Sequence, residues 1–214
     1  MNRPCWWISL ALIAFGLAVS VWLYPTLPEQ VATHWNIRGE ADGYGPKWMA
    51  AWALPVVALG LLGVMALLPW LSPKAYPIDA SQWAYEFLVV VLTAMFVFIH
   101  LVALAGAVNP GFPVGRVLFA GIFLALAAIG TSLGKLKRNF FIGVRVPWTL
   151  ASEQVWDETH RLAGKVFVVT GLLGCGLAAL NQIVVASLLL IPMALVPIVY
   201  SFLRCKQLER QGRL

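Results

Sequence analysis

Residues Val166 to Leu203 read VFVVTGLLGCGLAALNQIVVASLLLIPMALVPIVYSFL, without a single charge. A continuous helix of this length, rising about 1.5 Å per residue, would overshoot the roughly 30 Å hydrocarbon core of a bilayer nearly twofold. The one strongly polar interruption, Asn181-Gln182, falls near the middle. The chain is therefore expected to reverse there, giving two spans at about 166–182 and 183–203. That reversal fixes the parity of the whole chain.

Working back toward the N-terminus, further apolar runs give spans at about 6–24, 48–70, 86–108 and 117–133. The first is too long for the apolar core of a signal peptide and has no small-residue cleavage site before Pro25, so it reads as a retained span. Asn109-Pro110-Gly111-Phe112-Pro113 is dense in turn formers and makes a tight reversal between spans three and four. Six spans result, an all-α polytopic bundle in the cell membrane with both termini on one side. Composition agrees: of 214 residues 61% are hydrophobic and 11% charged, against about 25% charged in soluble domains. That balance excludes an ordinary soluble globule and leaves no length for a separate catalytic domain.

Charge placement orients the bundle. Of the 15 Lys and Arg residues, only Arg38, Lys47 and Arg116 fall on one side. The others lie at the N-terminus, in the connector after span two, in the loop after span four and in the tail, and the positive-inside rule assigns that side to the cytoplasm. The same placement explains the net charge of +6 without nucleic acid as a direct partner. Cys5, Cys175 and Cys205 show no CxxC spacing, so neither a disulfide framework nor a zinc site is indicated. Many of the ten tryptophans lie at span ends, where interfacial anchoring accounts for them. Gly130 and Gly134, and Gly171, Gly174 and Gly176, thin single helix faces for close contacts, within one chain or between subunits.

Function must then sit in the bundle or in two loops. The extracytoplasmic loop, 25–47, combines Pro25 and Pro28, which impose extended backbone, with Gly39, Gly43 and Gly45, which permit positive φ. Its shape is specified by turns. His34, Glu40 and Asp42 can converge on a metal ion, but the spacing fails the EF-hand pattern. The simpler reading has Asp42 stabilising a Gly-rich turn, His34 and Trp35 against the membrane interface, and Arg38 paired with a carboxylate. His100 is an imidazole inside an apolar span, a placement that favours the bundle interior. It lies toward the outer end of span three, where it can approach His34.

The cytoplasmic loop, 134–165, begins basic with interleaved aromatics, suited to anionic headgroups of membrane lipids. Pro147-Trp148-Thr149 breaks the backbone, and Thr149 or Ser152 can cap a helix beyond it. On that helix Glu153, Asp157 and His160 or Arg161 share a face. Asp157 and Arg161 have ion-pair spacing, and Trp156 and His160 stand one turn apart. The face is either a polar site for a docking partner or a solvated ion-pair network.

Together the loops resemble a known family. Pro25, Leu27, Pro28, Val31, Thr33-His34-Trp35-Asn36, Gly39-Glu40, Asp42-Gly43-Tyr44-Gly45 and Lys47 resemble the domain of unknown function DUF1648. Asn139-Phe140-Phe141-Ile142-Gly143, Arg145, Pro147-Trp148-Thr149-Leu150, Glu153, Val155-Trp156 and Thr159-His160-Arg161 resemble the C-terminal signature of SdpI-like proteins, immunity proteins against a secreted toxin peptide. Thr131-Ser132 and Val146 depart from that pattern, which has a Gly-Asn pair and a threonine there. The resemblance implies a membrane protein that binds or neutralises a membrane-active peptide toxin and signals to a cytoplasmic regulator, with His34, Trp35, Asn36, Glu40, Asp42, Tyr44, Asn139, Arg145, Pro147, Trp148, Thr149, Glu153, Trp156, His160 and Arg161 as candidate functional residues. The residues themselves leave two readings: a non-enzymatic binding protein without a cofactor, and a small enzyme or transporter with a metal or proton site at His34, His100, Glu40 and Asp42. Oligomeric state is not legible.

Overall fold

The computed structural model describes residues 3–214, the side chains of Arg3 and Asp79 excepted. Helix α1 (Arg3–Leu23) leads through a single 3-10 turn into strands β1 (Gln30–Trp35) and β2 (Ala41–Pro46), followed by α2 (Lys47–Leu71), α3 (Gln82–Val108) and α4 (Val114–Leu133). A short α5 (Pro147–Ala151) precedes α6 (Glu153–Ala179), α7 (Ile183–Leu188) and α8 (Leu190–Arg210). Six helical segments are long and apolar enough to cross a membrane, α7 and α8 together making the last. The chain is a multi-pass protein of the cell membrane.

The reversal expected at Asn181-Gln182 is present. Asn181 takes φ 63°, one of the few residue types that tolerates a left-handed conformation. The break between α7 and α8 has a separate cause: Pro192 lacks the N–H that would bond the carbonyl of Leu188. Two boundaries differ from the sequence expectation. The fifth helix starts at Glu153 with Ser152 as its cap, so the helix expected within the cytoplasmic loop is present and runs without a break into the span, which was expected to begin at 166. Hydropathy marks where hydrocarbon begins, not where the helix does. The first loop, read as a set of turns, is a two-stranded antiparallel hairpin with Val31 opposite Gly45 and His34 opposite Gly43. Of its glycines only Gly39 takes a positive φ, 77°; Gly43 and Gly45 lie in β2.

Proline placement explains the packing of α2. Pro55 cannot donate to the carbonyl of Ala51, and an unpaired carbonyl within lipid is costly. The Ser20 hydroxyl of α1 donates to that carbonyl at 2.8 Å. With its proton so engaged, Ser20 Oγ accepts from Nε2 of His100, 2.7 Å away on α3. Three helices are thus joined through one vacated carbonyl. The device recurs at Pro69, whose missing N–H leaves the carbonyl of Met65 to accept from the Tyr85 hydroxyl of α3. Around these bonds pack Ile13, Ala58, Leu62, Val89 and Val97.

On the other side of α3, α4 and α6 approach through glycine. A Cβ at Gly130 would lie 2.9 Å from the Gly164 carbonyl oxygen, and one at Gly164 would lie 2.8 Å from that of Gly130. Gly171 meets the backbone of Ala127, whereas Gly176 faces open space. Gly130, Gly164 and Gly171 therefore serve contacts within one chain.

Two outcomes follow for melting of the purified protein in detergent. Ser20→Ala strands a buried carbonyl and an imidazole, so it lowers stability by about 1–3 kcal/mol; Ser9, equally buried on α1 with no hydrogen-bond partner among the described residues, tolerates alanine without loss. Gly130→Ala lowers the melting temperature, whereas Gly176→Ala leaves it unchanged or raises it by the helix preference of alanine.

Candidate functional site

The candidate residues gather at opposite ends of the bundle. At one end the hairpin is clamped at its base by Lys47 Nζ on Glu29 at 2.7 Å and seated by Leu27 against Ala51 and Leu104. Its tip is made by Asn36, whose Oδ1 accepts from the backbone N–H of Arg38 at 2.8 Å and of Glu40 at 3.1 Å, while its Nδ2 donates to the Glu40 carboxylate. Asp42 holds Nδ1 of His34 at 2.5 Å. So Asp42 pairs with His34 where a turn-stabilising role was expected, and Arg38 makes no ion pair among the described residues. Tyr44 is exposed on the outer face.

Beneath β1 lies a crevice of about 380 Å³. Its roof is Ala32–Trp35, and its walls come from α2 (Ala53, Leu54), α3 (Ile99, Ala103) and α4 (Leu118, Phe119). All but the roof is apolar. His100 does not line it: its imidazole is buried and bonded to Ser20. The four do not share one site: His34 pairs with Asp42, Glu40 bonds Asn36 and His100 bonds Ser20, and no group of three or more potential metal ligands exists among the described residues. The expected convergence of His34 on His100 fails because His100 faces α1.

At the other end, residues 134–152 form a folded cap. Asn139 is fully buried. Its Oδ1 accepts from the N–H groups of Phe141 and Ile142 at 2.9 and 2.8 Å, and its Nδ2 donates to the carbonyls of Lys137 and Ile142. Trp156 donates from its indole to the carbonyl of Leu136 at 2.7 Å and stacks on His160, ring centroids 4.0 Å apart. The His160 imidazole is bonded at both nitrogens. Nε2 accepts from the Val144 N–H at 2.9 Å, so Nδ1 carries the proton and donates to the Trp156 carbonyl at 2.8 Å. Gly143 takes φ 110° and passes so close to His160 that any Cβ would strike the ring.

Val146, where the resemblance led us to expect a threonine, caps α5 without a side-chain bond; its N–H donates to Thr149 Oγ1 at 3.0 Å instead. The cap is tied outward by the Lys137 N–H on Ser81 Oγ at 2.6 Å and by Trp148 Nε1 on Ser201 Oγ at 2.5 Å. Of the candidates here, Asn139, Thr149, Trp156 and His160 face inward, whereas Arg145, Pro147, Glu153 and Arg161 are exposed.

The expected Asp157–Arg161 ion pair does not form among the described residues. The acid one position on, Glu158, takes that role with α8: Arg204 Nε and Nη2 lie 2.5 and 2.9 Å from its two oxygens, and Tyr200 donates at 3.2 Å. Sequence reading missed Glu158, Arg204, Ser20, Ser81 and Ser201. The partners that tie them across the fold lie 31 to 80 residues away, so no local spacing could signal them.

The model of DUF1648, a domain of unknown function, matches residues 11–59, which contain the hairpin and its flanking helix turns. The model of the SdpI/YfhL protein family matches residues 135–201, from the cap through α6 into α8. Immunity protein SdpI of Bacillus subtilis (strain 168) is 28% identical over 198 residues, covering 88% of this chain and 89% of that protein. No solved structure matches the chain. Both segments are matched in order on one six-span bundle, so the chain carries a DUF1648 segment followed by a segment similar to the SdpI/YfhL protein family, and it is similar to an SdpI immunity protein along most of its length.

Proposed function

We propose that this immunity-type membrane protein neutralises a membrane-active peptide by seating apolar side chains of that peptide in the crevice beneath the hairpin. The observation that carries the reading is the crevice itself: about 380 Å³, walled by three helices, and roofed by strand β1. That volume falls within the range of ligand sites, which pair apolar walls with few polar groups. The polar side chains here include Thr33 and His34, the latter fixed by Asp42. An amphipathic peptide presents the matching pattern. The similar Bacillus subtilis protein is named for immunity, which supports the same reading.

The end bearing the cap carries most of the Lys and Arg residues, and in this proposal it faces the cytoplasm. A cytoplasmic regulator meeting it would touch Arg145, Pro147, Glu153 and Arg161. Asn139, Thr149, Trp156 and His160 would act only by holding the cap in shape. The alternative, a metal or proton site built on His34, Glu40, Asp42 and His100, lacks the convergence such a site requires.

The test is protection of a toxin-sensitive host expressing the chain against the secreted toxin peptide. Wild type protects, and Ala53→Trp, which fills the crevice, abolishes protection at equal membrane levels. Arg145→Ala leaves protection intact. Killing at the wild-type rate with insertion verified, or full protection by Ala53→Trp, overturns the proposal.

A further inference from the structure

A second concavity lies at the cap end, on the lipid-facing side of the bundle. It measures about 890 Å³ and runs along α6 between the end of α4 and Tyr200 of α8. Its mouth carries Arg161 and Lys165, one turn apart and both exposed, while Leu162, Val168 and Val169 line it toward the bilayer centre. Like charges one turn apart on a helix repel each other. Neither is relieved: the ion pairs among the described residues join other groups, and Asp157, one turn before Arg161, lies beyond ion-pair distance. The carboxylate in the lining, Glu158, is already neutralised by two bonds from Arg204. A third cation, Lys135, lies at the edge with its Nζ 4.0 Å from the ring centre of Trp83.

The groove is thus cationic at the interface and apolar deeper: Asp157 stands outside its lining and beyond ion-pair distance, and the one acid in the lining, Glu158, is already bonded to Arg204. An anionic phospholipid has the complementary layout, and basic pockets between transmembrane helices bind such headgroups. We propose that this groove is a binding site for one anionic phospholipid, its phosphate held by Arg161 and Lys165 and an acyl chain lying along Leu162, Val168 and Val169. From Arg161 to Val169 the helix rises about 12 Å, the depth over which one chain would contact the wall. The inference does not depend on peptide neutralisation, which uses the opposite end of the molecule.

Native mass spectrometry of the full chain released from detergent, loaded with phosphatidylglycerol or phosphatidylcholine, tests it. Phosphatidylglycerol is retained to higher activation energy than phosphatidylcholine. Arg161→Gln with Lys165→Gln removes that preference and weakens phosphatidylglycerol binding roughly thirtyfold, the factor given by two cations near an anionic headgroup. Arg161→Lys with Lys165→Arg keeps the preference. Thr131→Trp, which fills the groove from exposed α4 surface without altering charge, also loses the lipid, so the test stands even if the neutralised variant fails to fold. Equal retention of both lipids by wild type, an undiminished preference in the neutralised variant, or unaltered retention by Thr131→Trp overturns the proposal. So does complete displacement of phosphatidylglycerol by excess inorganic phosphate, which would leave a site for small anions without a lipid.

Discussion

The architecture depends on one demand of the hydrocarbon layer: a backbone carbonyl that loses its helical partner must find another donor. Helix α2 contains two prolines, and each frees a carbonyl one turn earlier. Neither is left to water. The serine hydroxyl of α1 and the tyrosine hydroxyl of α3 reach in, and the histidine of α3 completes the first bond by donating to the serine. A polar side chain inside a span usually signals transport or catalysis. Here it is accounted for by the proline facing it, and the same bonds hold α1, α2 and α3 in register.

The other half of the bundle uses the opposite strategy. Between α4 and α6 the side chains are absent at the crossing, so backbone meets backbone and dispersion contacts accumulate over the shared surface. Two kinds of cohesion therefore meet at α3. Hydrogen bonds index the first half, and close shape fit indexes the second.

Much of this was legible in the sequence because it rests on run length. Apolar stretches and the Asn181-Gln182 break gave the six spans, and turn formers placed the reversal after α3. The hairpin was not legible, since its strands alternate too weakly between buried and exposed positions to stand out among prolines and glycines. In the cap, Asn139 and His160 stood out in the sequence as residues, but their inward orientation did not. A buried asparagine bonded to four backbone groups and an exposed one awaiting a ligand look alike in one dimension. The pairing of Glu158 with Arg204 was hidden for the same reason: its nearer neighbours Asp157 and Arg161 offered the simpler local match.

The cap has a mechanical consequence. It is pinned at Ser81, at the foot of α3, and at Ser201 in α8, while Trp156 of α6 grips its middle through the Leu136 carbonyl. Those three anchor points belong to three different helices, rods that the cap clasps together. Any tilt of α8 against α3 must strain or open that clasp, and a displacement deep among the rods would be delivered to this end of the molecule as a change in the shape of one short segment.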